Sequence, residues 1–105
     1  MSEVKNIVSP LAVFRLAEEQ ACDGYLKARK SMIRLAAQVA SISQLVKECP
    51  SRADYRAALG QLMGRHFDAE QRTRLAYQRW QQAQVRADAF WAVSNKAGAP
   101  MRMAA

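Results

Sequence analysis

Glycine and proline are scarce in this chain, at four and three residues in 105, and no proline falls between Pro10 and Pro50. That scarcity removes the tight turns on which all-β folds depend and leaves long segments free to be helical. Cysteine is almost as rare. Cys22 and Cys49 stand 27 residues apart, roughly 40 Å along a continuous helix, too far to bridge within one hairpin. A disulfide within the hairpin is excluded, and free thiols fit a reducing compartment, with an intermolecular Cys49 disulfide as the alternative. With His66 as the sole histidine, the chain also lacks the ligands of a zinc site. No apolar run reaches the 18 residues of a membrane span; the stretch LAAQVASISQLV is too short and too polar. The start, MSEVKNIVSP, lacks the basic beginning and apolar core of a secretory signal, so a cytoplasmic location is expected. There is no Ser-His-Asp arrangement, no phosphate loop and no convergent carboxylate pair. The expectation is a protein that is not an enzyme and that uses no cofactor and no metal.

Half of the residues are apolar, and alanine, glutamine and arginine are abundant. That composition reads as all-α. Ser9 before Pro10 is suited to an N-cap with proline at the first helical position. Pro50 ends that segment, and Ser51 with Asp54 three residues on resembles a capping box for a second helix. Near Asn95 the sequence NKAGAP supplies a stop. The expected organisation is a flexible tail over 1–8, a helical hairpin over 9–98 with helices at about 10–49 and 52–95, and a flexible tail over 99–105.

Spacing supports this division. A 3-4-3-4 ladder runs through Leu11, Phe14, Glu18, Ala21, Tyr25, Ala28, Met32, Leu35, Val39, Ile42, Val46 and Cys49. A second ladder passes through Arg52, Tyr55, Leu59, Leu62, His66, Ala69, Thr73, Ala76, Trp80, Ala83, Ala87, Phe90 and Ser94. Heptads sustained this far predict coiled-coil packing. Folding at Pro50 and Ser51 makes the ladders antiparallel, with partner numbers summing to about 101. Phe14 then faces Ala87, Ala21 faces Trp80 and Met32 faces Ala69. His66 falls opposite Leu35 as a buried or half-buried histidine, and Glu18 either leaves the seam or fixes the register, with Arg15 and Arg86 close enough to pair with it. The predicted fold is an antiparallel two-helix hairpin roughly 60 Å long, assembling into a dimer or a larger helical bundle.

Apolar residues exceed what one partner helix covers. Leu26 and Ile33 in the first helix, with Met63, Phe67, Tyr77 and Trp91 in the second, lie beside the ladders and form a candidate partner-binding surface. Charge adds a second feature. Sixteen basic residues against nine acidic ones leave a net charge of +7, which attracts acidic protein, nucleic acid or anionic lipid. Arg65, Arg72, Arg79 and Arg86 recur every seven residues. Across the seam the flank that meets them offers Ala17, Gly24, Ser31 and Gln38, none of them acidic. The row is read in three ways: as a solvated face, as a strip for an acidic partner helix, or as a contact for nucleic-acid phosphates.

The segment EQRTRLAYQRWQQAQVRADAF resembles the coiled-coil stalk proteins of type III secretion and flagellar export, which insert into the export ATPase ring. The turn LVKECPSRADYRAALGQL is similar to the hairpin turn of type III needle subunits. The resemblance implies a helical adaptor acting by surface contact, with no catalytic residues. The expected role is therefore a protein-interaction module that self-associates or docks on another helical or acidic protein, as a secretion-apparatus stalk, a chaperone or a structural component. A basic nucleic-acid-binding accessory protein is the alternative.

Overall fold

A computed structural model describes residues 9–104, and the side chains of residues 9–95. The chain is two long helices, α1 over Pro10–Glu48 and α2 over Ala53–Ala104, packed along each other as an all-α hairpin. The expected tail over 1–8 lies outside the described residues.

The first boundary follows from local chemistry. Ser9 Oγ accepts the Leu11 N–H at 3.1 Å, and Pro10 occupies the first turn, where its missing N–H costs nothing. At the other end the Cys49 N–H donates to the Leu45 carbonyl at 2.8 Å. Pro50 lacks a donor with which to continue, and residues 49–52 turn the chain. The Arg52 N–H closes that turn on the Cys49 carbonyl at 3.0 Å. Here the structure departs from the expected capping box. α2 begins at Ala53, so Ser51 belongs to the turn, and Asp54 binds Arg52 through two hydrogen bonds of 2.9 and 2.7 Å. The Arg52 guanidinium holds the Asp54 carboxyl below the usual carboxylate range. Arg52 also lies over the Tyr55 ring, 4.1 Å from its centroid.

The far boundary is a correction. α2 does not stop near Asn95 but continues to Ala104, so most of the tail expected over 99–105 is helical. Gly98 and Pro100 remove propensity and one donor, while the alanines and methionines around them are strong helix formers. The longer helix accounts for a molecule 77 Å long, against the 60 Å expected.

The long side chains across the seam meet partners slightly beyond those directly opposite. Tyr25 meets Tyr77 at a centroid distance of 5.3 Å, Arg15 bonds Asp88 at 3.1 Å, Phe14 meets Phe90 at 5.2 Å, and Tyr25 stacks on Trp80 at 5.5 Å. Their numbers sum to 102, 103, 104 and 105, not to 101. Side chains on a helix lean toward its N-terminus by about one residue. In an antiparallel pair both leans raise the sum, by about two in all. Phe14 therefore reaches Phe90 and Trp80 reaches Tyr25, beyond the residues directly opposite them on the ladder. Aromatic meets aromatic toward the open end, where large-against-small pairing was expected.

The interior is slight. Among the described residues only Ala69, Thr73 and Ala87 are buried, and no large side chain is fully enclosed. Thr73 satisfies its hydroxyl by donating to the Ala69 carbonyl at 2.7 Å. The remaining ladder positions are half-buried, His66 among them, with its Nδ1 3.6 Å from Glu70.

Candidate interaction surfaces

The seam has two edges, and their residue content differs. Along α2, Tyr77 and Arg79 are two residues apart, about 200° around the helix, so they fall on opposite sides of the seam. The six apolar candidates Leu26, Ile33, Met63, Phe67, Tyr77 and Trp91 occupy one edge. The four arginines occupy the other. One partner touching a single edge therefore does not meet both sets.

On the apolar edge, Phe67 is 59% exposed, Met63 54%, Ile33 53% and Trp91 46%, so about half of each stands in solvent. Tyr77 is tied to the seam, 5.9 Å from Trp80 edge to face, and receives a hydrogen bond from Gln81 at 3.0 Å. Tyr25, Met32, Glu70 and Tyr77 line a groove along this side. Farther from the turn, Arg15 reaches both Glu18 at 2.8 Å and Asp88 at 3.1 Å, joining the helices. This arrangement holds Glu18 at the seam with Arg15 alone; Arg86, the other expected partner, is not engaged. The two carboxylates raise the Arg15 pKa, Glu18 foremost.

On the basic edge, Arg65, Arg72, Arg79 and Arg86 are exposed. Among the described residues, none has a carboxylate within 4 Å, and Asp68, three and four residues away from Arg65 and Arg72, is not drawn into a pair. A groove runs beside Arg72 and Arg79 and is floored by Ala21, Gly24, Ala28, Leu75 and Ala76. Toward the turn a second depression continues past Arg34, Gln38 and Leu62. Gly24 and Leu75 were not singled out as site residues by sequence reasoning. The available signal was a glycine placed across the seam from Arg79, with a leucine midway between Arg72 and Arg79.

Both cysteines are free thiols. Among the described residues no three His, Cys, Asp or Glu side chains gather closely enough to hold a metal ion, and no helix is long and apolar enough to cross a membrane. In comparisons with protein families, with curated proteins and with solved structures, none matches this chain.

Proposed function

We propose that this chain is a non-enzymatic helical-hairpin interaction module whose apolar edge is covered by a second copy of itself. The observation that carries the reading is the imbalance between core and surface. Six of the large apolar side chains that stand about half in water share one edge, whereas the described interior encloses only two alanines and a threonine. A domain normally buries such side chains, and an edge needed for stability is best covered by a partner that is always present at synthesis.

The area is adequate. Six large side chains, each with about 100 Å² still exposed, offer about 600 Å² per copy, or about 1,200 Å² across a two-fold interface, the lower bound of stable association. The arginine row then stays outside the dimer, free for a further protein. Such a hairpin acts as an adaptor. The resemblance to export-apparatus stalks and needle turns names one setting for it, as a secretion-apparatus or chaperone component, and that setting rests on the resemblance alone. A nucleic-acid accessory role draws only on the basic edge and leaves the apolar edge unexplained.

Light scattering after size exclusion of nuclease-treated protein tests this reading. A mass about twice that of the chain, the same at low and high salt, is expected. A monomer at both salts refutes self-association through this edge.

A further inference from the structure

The groove on the basic edge combines two demands that one kind of ligand meets. Apart from Gln20 and the two arginines its lining is apolar, alanines of both helices with the exposed Leu75 at the rim, and at Gly24 the backbone lies open: a Cβ added there would meet nothing within 4 Å. Its walls are Arg72 and Arg79, and neither has a carboxylate of the described residues within 4 Å. The occupant must bring apolar surface for the floor and negative charge for the walls. We propose that this groove docks an acidic amphipathic helix of another protein, laid over Gly24 with its carboxylates against Arg72 and Arg79.

Spacing favours a helix as the occupant. Seven residues separate the two arginines, about 10.5 Å along α2, the same rise that separates carboxylates seven residues apart on a neighbouring helix. Arg65 and Arg86 extend the row at the same interval. The small flank residues facing the row leave room for the approach, and the missing side chain at Gly24 lets a backbone come close.

A second copy of the chain does not suit this edge. It carries Lys27 and Arg34 besides the four arginines of the row, against Glu48, Asp54 and Asp68, so two such edges would oppose like charges. Nucleic acid suits it less than a helix does. No aromatic side chain lines the groove for a base to stack on, and a phosphate backbone makes no use of an apolar floor. The inference is independent of dimerisation through the opposite edge.

The test uses the full chain and a fluorescent helical peptide of about 21 residues, three heptads, with glutamate at every seventh position beside an alanine and leucine stripe. Anisotropy at low salt should report saturable binding. Replacing the glutamates by glutamine, or introducing Arg72→Gln with Arg79→Gln, should weaken binding by about 10-fold or more. Gly24→Leu should weaken it comparably while leaving the circular dichroism spectrum intact, because the open site accepts the new side chain. Gln71→Ala, at an exposed position that belongs to neither edge set, should leave peptide affinity unchanged. The proposal is overturned by absence of peptide binding at low salt, or by undiminished binding to the Gly24→Leu variant. It is also overturned if an oligonucleotide binds more tightly than the peptide and is indifferent to Gly24→Leu, which would assign the row to phosphates.

Discussion

Replacing Phe67 by alanine separates an edge that faces water from one that faces protein. Phe67 is 59% exposed in the single hairpin, about 120 Å² of a side chain of about 200 Å². At about 25 cal/mol per Å², burying that remainder is worth about 3 kcal/mol per copy as an upper bound. Roughly half survives the retained methyl group and the costs of association, giving about 3 kcal/mol for the two sites of a symmetric dimer. The dimer dissociation constant should therefore rise on the order of 100-fold. Sedimentation velocity over a dilution series measures this, with circular dichroism melts alongside. In the monomeric regime the substitution should cost under about 0.5 kcal/mol, as an exposed side chain does. A dissociation constant changed by less than about 3-fold would refute burial of this edge. A lowered melting temperature at monomeric concentrations would show instead that Phe67 stabilises the hairpin itself.

Two further substitutions probe the hairpin. Ala87 is fully enclosed at 0% exposure, so Ala87→Leu should force the helices apart near the Phe14 and Phe90 pair and cost about 1–3 kcal/mol, read as a lower melting temperature; an unchanged melt would mean that the helices are not in contact there. Gly60 and Gly64 have open space where a Cβ would stand, so Gly60→Ala and Gly64→Ala should each stabilise the helix by about 0.5–1 kcal/mol at every concentration; a loss confined to concentrated samples would place another helix against them.

The hairpin was legible because its determinants are local and repetitive. Pro50 interrupts the only donor ladder that could have made one rod, and the 3-4-3-4 spacing fixes which faces of the helices meet. The long side chains meet partners about two residues beyond the ladder arithmetic because that arithmetic placed side chains straight out from the axis, whereas they lean along it. That lean brings Tyr25 to Trp80 and Phe14 to Phe90. The end of α2 was misjudged because Gly98 and Pro100 were read as a stop when the residues around them favour continuation. The arginine row was visible as a period, but its separation from the aromatic edge follows from the two-residue step between Tyr77 and Arg79. The groove was harder to see, since it depends on Gly24 and Leu75 from different helices, which become neighbours only once the hairpin closes.

The two tryptophans occupy unlike positions. Trp80 lies in the seam, stacked on Tyr25, while Trp91 stands on the apolar edge, nearly half in solvent. The molecule thus carries two tryptophan fluorophores assigned to separate events. Emission from Trp80 follows the opening and closing of the hairpin, and emission from Trp91 follows the covering of its edge. Replacing either one by phenylalanine leaves a probe that distinguishes folding from assembly in the same cuvette.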